Sequence, residues 1–325
     1  MKVCLIDADS VIPNLALMKI STYHKNKGDT VELFKANLPY FPNRKKRAFY
    51  KPFGYDKYYC SVVFDNNRRF ISGKDIIFGG TGYDLTTNLP EEIKDLDPDY
   101  SLYPDNKISY GFLTRGCIRK CKFCVVPEKE GMIHQVNTID NIVKHKVVKF
   151  LDNNFLALPN HKEILQELVD KKIKFQFSQG LDIRLLDEES SLLLSKANLK
   201  DGSCTFAFDD WSYLKLIEKK LPLLHWRKLH KIKFYVYASP GMELSNIINR
   251  IEWIRHFEFK PYLMRDITCW SSKYHDFFID LASYCNSPNA IMKTDFEGYL
   301  INRQSNLKRR KISTNLYNNN ITLKL

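Results

Sequence analysis

Apolar and polar residues alternate between two rhythms along this chain. VCLIDAD, residues 3–9, is a continuous apolar run closed by two acids, the pattern of a strand buried on both faces. LALMKISTYHKNKG, Leu15 to Gly28, repeats its apolar positions at helical spacing and stops at a glycine. TVELFKA returns to strand character, and after a Pro- and Tyr-rich stretch from Leu38 to Tyr55 come two further β-branched runs, YYCSVVF and DIIFGG. Strand, helix, strand implies a right-handed parallel crossover, and a small doubly wound sheet is the expected result.

From Leu85 to Pro104 the chain turns acidic and Pro-punctuated, as a linker or surface segment does. Beyond it the beat resumes. Strand-like runs fall at Lys107–Thr114, Val147–Phe155, Lys174–Gln179, Cys204–Asp209, Lys231–Ser239 and Lys260–Arg265. Amphipathic helices are expected between them at Thr138–His145, His161–Lys171, Glu188–Ala197, Tyr213–Leu224 and Leu244–His256. So regular an alternation calls for a parallel sheet in an open or closed barrel, with functional side chains at the C-terminal strand ends. The expected division is 1–104, then 105–301, then a basic, Asn-rich, flexible tail over 302–325.

The bulk numbers add little to this. Apolar residues make up 44% and charged residues 27% of 325, the composition of a folded protein rather than a disordered one. The start, MKVCLIDAD, lacks the apolar h-region of a signal peptide, and no run reaches the roughly 20 apolar residues of a membrane span. A cytoplasmic protein without a membrane partner is expected, its cysteines thiols or metal ligands before disulfides. A formal charge of +13 is compatible with an anionic partner, nucleotide, RNA or peptide, but a solvated basic surface is the preferred account.

Chemistry concentrates in RGCIRKCKFC, residues 115–124, which places Cys117, Cys121 and Cys124 at Cys-x3-Cys-x2-Cys directly after a strand. A closed zinc site brings a fourth ligand at a second paired spacing. Three thiolates instead hold three irons of a four-iron cluster and leave the fourth open. The other cysteines, Cys4, Cys60, Cys204, Cys269 and Cys285, are isolated in sequence, and four of them sit in the apolar or aromatic surroundings typical of packed thiols.

This loop resembles the signature of the radical S-adenosylmethionine (radical SAM) enzymes, which carry an aromatic residue just before the last cysteine, here Phe123. The resemblance implies a [4Fe-4S] cluster on Cys117, Cys121 and Cys124, with S-adenosylmethionine on the open iron and Phe123 against its adenine. It also implies an electron donor such as flavodoxin or ferredoxin, and an α/β fold in which a partial (β/α)6 TIM-like barrel spans about 105–300. The implied reaction is reductive cleavage to a 5′-deoxyadenosyl radical that takes hydrogen from a substrate the sequence does not name, with methyl or methylthio transfer among the outcomes. Methylthio transfer to transfer RNA ranks low, because Cys4 and Cys60 cannot make the second three-cysteine set of that subgroup.

Gln179, Asp182 and Arg184 after the third strand suit ribose hydroxyls or a methionyl carboxylate, and a structural ion pair between Asp182 and Arg184 is the equal alternative. Asp209 with Asp210, and Asp152 with Asn153 and Asn154, are mouth-facing candidates or helix caps. Gly241-Met242-Glu243 is similar to the family's post-strand turn, but the glycine pair near the end of the second strand is absent. The first hundred residues resemble the Rossmann-like cobalamin-binding domain of many such enzymes, with Pro13-Asn14-Leu15-Ala16 and Gly79-Gly80-Thr81-Gly82 at ligand-facing loops. A GGTG turn can cradle phosphate with its amides. No Asp-x-His-x-x-Gly is present, so only base-off cobalamin remains, and a module without corrin is preferred. The competing account from another class is a non-catalytic, basic nucleic-acid-binding protein, its three cysteines holding zinc with His134 as the nearest fourth ligand.

Overall fold

VCLID forms the centre of a parallel sheet. In the computed structural model, which describes residues 1–40, 44–287, 290–302 and 305–321, β1 (Lys2–Asp7) is buried from Val3 onward. It pairs in parallel with β2 (Thr30–Lys35) on one side and β3 (Lys57–Ser61) on the other, and β4 (Ile76–Gly79) adds to β3. One core layer sets Cys4 and Ile6 against Cys60 and Val62; the other sets Val3 and Leu5 against Leu17, Ile20 and Tyr59. Apolar cover on both faces explains why β1 shows no alternation in sequence. The order β2-β1-β3-β4 reverses at β1, so the loops after β1 and β3 leave the sheet at the same edge.

Helix α1 (Leu15–Asn26) begins at Asn14, whose side-chain oxygen accepts the Leu17 N–H, and ends before Gly28 at φ 81. The acidic segment expected as a linker packs on α1. Ser21 Oγ donates to Asp99, Thr22 Oγ1 to the Asp97 carbonyl, and Lys25 pairs with Asp99 at 2.7 Å.

The chain divides into two compact units, Met1–Gly111 with Arg119–Met132 and Asp140–Lys146, and Phe112–Ile118 with Ile133–Ile139 and Val147–Leu325. The second contains β5 (Val147–Phe150), β6 (Lys174–Phe177), β7 (Cys204–Ala207), β8 (Ile232–Ala238) and β9 (Lys260–Arg265). β5 pairs with β6, β7 with β8 and β8 with β9, all parallel, and a parallel bridge between Leu181 and Phe206 links β6 to β7. Spatial order therefore follows sequence order. Helices α2 (His161–Asp170), α3 (Glu188–Lys196) and α4 (Leu244–His256) return the chain between strands. Along β8 the buried positions Ile232, Phe234, Val236 and Ala238 alternate with half-buried Lys233, Tyr235 and Tyr237. The buried set faces α4, where Phe234 and Phe208 meet Trp253 edge-on.

Two expected helices are cut short. Tyr213–Leu224 reduces to Leu214–Glu218 and a 3-10 turn at Leu221–Leu223, because Pro222 supplies no N–H. Thr138–His145 reduces to Ile139–Ile142, since the N–H groups of Lys144 and His145 both donate to Ser109 Oγ at 2.8 Å. The expected strand Lys107–Thr114 is confined to Ile108–Gly111, after which Thr114–Arg115 pairs antiparallel with His134–Gln135.

The basic C-terminal segment differs from expectation. In place of a flexible tail, 302–325 contains α7 (Leu307–Asn320), preceded by α5 (His275–Cys285) and α6 (Phe296–Asn302); residues 303, 304 and 322–325 lie outside the described residues. Arg310, Ser313 and Tyr317, spaced i, i+3, i+7, are buried, a face that Asn-rich composition conceals. Fully buried Asp280 of α5 holds this face, pairing with Arg309 at 2.9 Å and Arg310 at 3.6 Å and accepting from Ser313 Oγ at 2.8 Å. No helix among the described residues is long and apolar enough to cross a membrane. Asp280→Ala leaves the Arg310 charge buried without its carboxylate and should cost roughly 3–5 kcal/mol. Urea unfolding measures the loss, and limited trypsin digestion should cut at Lys308–Lys311 faster than in the parent.

Candidate functional site

Five of the eight thiols are sealed in the core. Burial pushes Cys4, Cys60, Cys204 and Cys269 up to about 12 and Cys285 well above the ordinary thiol value. Cys117, Cys121 and Cys124 are partly exposed, and none of the eight cysteines, each among the described residues, is in a disulfide. The donor chemistry of these three fits a soft metal or cluster. Among the described residues, however, no group of three His, Cys, Asp or Glu side chains is placed to hold a metal ion.

Cys117 follows the short ladder in which Arg115 pairs with His134, placing the alternative fourth ligand near the root of the loop. Gly116, at φ 79, turns the chain between them, and Arg115 stacks on Phe112 with its guanidinium 3.5 Å from the ring centre. In the other unit the Cys124 N–H donates to the Cys121 carbonyl at 3.0 Å, a tight turn, and Phe123 is 44% exposed.

Within the second unit, the segment after β5 carries the most informative polar groups. Asp152 is 1% exposed; its Oδ1 accepts from Thr114 N–H at 2.6 Å and Thr114 Oγ1 at 2.8 Å. Asn154 is also buried, and its amide donates to Cys117 Sγ at 3.4 Å. Asp152 Oδ2 and Asn154 Oδ1 are buried with no hydrogen-bond partner among the described residues. A buried acceptor left unmade costs free energy, so both oxygens are set for a ligand that donates. Burial pushes the Asp152 carboxyl up to about 6 against the pull of the Thr114 donors. Periodicity could not single out this pair, because LDNN reads equally as a strand end or a cap.

The other expected positions sort themselves by geometry. Both carboxylate oxygens of Asp182 are engaged by Arg184, Nε at 2.6 Å and Nη2 at 3.0 Å, and Arg184 lies on the Tyr213 ring at 4.2 Å. The ion-pair alternative is the arrangement seen. Gln179 is exposed beside Gly180, whose φ of 81 would strain any side chain and whose Cβ position lies 3.1 Å from the Tyr235 ring. Asp210 caps the turn at Trp211, accepting the Ser212 N–H at 2.8 Å. Asp209 accepts the Tyr237 N–H at 3.2 Å; burial raises its carboxyl, and the neighbouring Arg250 opposes the rise. Arg250, which sequence reasoning passed over, is fully buried and donates to the carbonyls of Phe208 at 2.8 Å and Tyr237 at 3.0 Å.

In the first unit the GGTG turn has a structural cause. A side chain on Gly80 would meet the Val62 carbonyl and one on Gly82 the Phe64 backbone, while Gly82 N–H donates to Val62 O and Tyr83 N–H to Gly80 O. The Gly82 amide is thereby spent within the turn. Asn14 likewise is occupied, capping α1 and donating to Ser10 Oγ and Ser61 Oγ. An open cleft of about 580 Å³ lies between the loop after β1, the end of β2 and residues 102–106, with the buried Asp7–Tyr103 hydrogen bond in its wall.

Because the folded carboxyl of Asp152 binds its proton more tightly than the unfolded one, its contribution is present at low pH and fades as pH rises from about 4 to about 6. Asp152→Asn should remove that fall, so that the parent loses about 2–3 kcal/mol between pH 4 and pH 7 where the variant does not. Urea unfolding at intervals from pH 4 to 7 measures the difference. Compared with protein-family models and with curated proteins, the chain matches none.

Proposed function

We propose that the chain is a radical SAM enzyme, with Cys117, Cys121 and Cys124 as the ligands of a [4Fe-4S] cluster. The observation that carries this reading is the separation of the cysteines into two populations. The three of the Cys-x3-Cys-x2-Cys loop are partly exposed, and the other five are buried and held protonated. Five parallel strands in sequence order, joined by returning helices, support the finer reading of the second unit as a partial TIM-like barrel. The reversal of strand order at β1 supports a Rossmann-like first unit.

When bound, the cluster and S-adenosylmethionine supply one-electron cleavage and a 5′-deoxyadenosyl radical. This chain's residues would position the partner. Asn154 holds Cys117 through its amide and keeps its oxygen, with that of Asp152, for donor groups of the ligand such as the methionyl ammonium. Phe123 offers an exposed ring for the adenine. Asp182 and Arg184 brace one another, so their part is to stiffen the rim. An anionic substrate, an electron donor of the flavodoxin or ferredoxin kind and a cytoplasmic setting complete the proposal. Cobalamin is not included, since the GGTG turn is engaged with its own backbone.

The ladder that sets His134 opposite Arg115 favours one second reading, a zinc-stabilised binding protein with His134 as the fourth ligand. Anaerobic reconstitution with iron and sulfide, followed by reductant and S-adenosylmethionine, separates the two. Bound iron and sulfide with release of 5′-deoxyadenosine is expected. Cys121→Ala should lose both iron and product, and Cys204→Ala should keep both. Stoichiometric zinc without cleavage, or equal behaviour of the two variants, overturns the assignment.

A further inference from the structure

The face of the second unit's sheet opposite α4 has a chemistry of its own. Lys233 lies in register with Lys260, Tyr235 with Tyr262 and Tyr237 with Met264. At the N-terminal edge the Lys233 ammonium feels Lys260, Lys231 and Lys200, and Lys149 on β5 feels Lys200, with Asp201 as the acid acting on both. All five lysines are half-buried. Burial first, and the neighbouring ammoniums after it, hold Lys149 and Lys233 below the usual lysine range. Lys231 Nζ donates to the Asp201 carbonyl at 2.8 Å, and the mutual repulsion of the ammoniums around Lys233 is what an anion would relieve.

Two residues further along each strand, a step of about 7 Å, the lysines give way to rings. Tyr235 and Tyr262 meet edge-on at 5.7 Å. The Tyr235 hydroxyl donates to the Ser178 carbonyl at 3.0 Å, which fixes that ring. Tyr262 is 46% exposed and its neighbour Met264 is 43% exposed, so an aromatic surface and a thioether lie open beside the cations. A packed core would cover these groups, and a plain solvated face has no reason to crowd ammoniums together.

We propose that this face binds a nucleotide, its phosphate on Lys233 and Lys260 within the field of Lys149 and Lys200, and its base on Tyr262. One two-residue step separates a phosphate from a base in a single nucleotide. A long RNA strand would need a stripe of protruding cations, whereas these are half-buried and confined to one edge. The site involves none of the loop cysteines, so it stands or fails separately from the cluster reading.

Calorimetric titration of the purified chain with guanosine 5′-monophosphate tests it, a guanine probe being used to avoid any adenosyl site at the cysteine loop. Tight binding is expected, with guanosine and inorganic phosphate each weaker by about tenfold or more. Lys233→Met, Lys260→Met and Tyr262→Ala should each weaken the nucleotide by about tenfold, Lys260→Arg should restore most of it, and Tyr262→Ala should leave phosphate binding unchanged. Tyr262 is half-exposed, so its replacement should not unfold the chain, and a thermal melt verifies this. The proposal is overturned by no binding at millimolar nucleotide, by folded variants that bind as the parent does, or by phosphate alone binding as well as the nucleotide. Tighter binding of oligouridine with a steep salt slope would make the face an RNA surface and equally overturn it.

Discussion

The second unit depends on one buried cation. Arg250 reaches from α4 to two carbonyls, Phe208 O just beyond β7 and Tyr237 O within β8, and so ties the C-terminal ends of neighbouring parallel strands together. A parallel pair lacks the tight hairpin that fixes an antiparallel one, and strand ends are where its ladder hydrogen bonds run out. A guanidinium is suited to this place because its donors are rigid and it stays charged even in the interior; burial lowers its proton affinity only to about 10. Asp209 sits beside it and helps to balance the charge. The strand ends at Phe208 and Tyr237, with Asp209 between the anchor and the Tyr237 N–H, are held by that contact.

Much of the fold was legible because the apolar rhythm is strong where both partners of a contact are apolar. VCLID, TVELFK and the run at Ile232–Ala238 appear as strands where their patterns place them, and Gly28 stops α1. The reading weakened where a polar residue decided the outcome. Ser109, far from residues 138–145 in sequence, takes the N–H groups that would have extended that helix. Asp280 organises a C-terminal helix whose own composition reads as disordered, through Arg309, Arg310 and Ser313. Both are long-range pairings that hinge on a polar side chain, and single-sequence periodicity carries no record of them.

The candidate site was legible in a similar, partial way. Cys117, Cys121 and Cys124 stand out by spacing alone, and their exposure separates them from the remaining cysteines. Asp152 and Asn154 were visible only as two members of a polar strand end; burial distinguishes them, because it leaves one oxygen of each without a donor among the described residues. Asp182 and Arg184 lay two residues apart in sequence, which suits a ligand clamp and a self-contained pair equally, and only the two-point fork in the fold distinguishes the two. Arg250 had no signal at all, since a lone arginine in an amphipathic helix is ordinarily a surface residue.

The contrast between the two sets of cysteines also governs how the molecule meets oxidants and soft electrophiles. A thiol near 12 is ionised to roughly one part in 100,000 at neutral pH, and only the thiolate attacks. Cys4, Cys60, Cys204, Cys269 and Cys285 are thereby chemically silent while the fold persists. Sulfur chemistry in the native protein is channelled to the single loop from Cys117 to Cys124, and oxidative damage to that loop need not disturb the core that positions it.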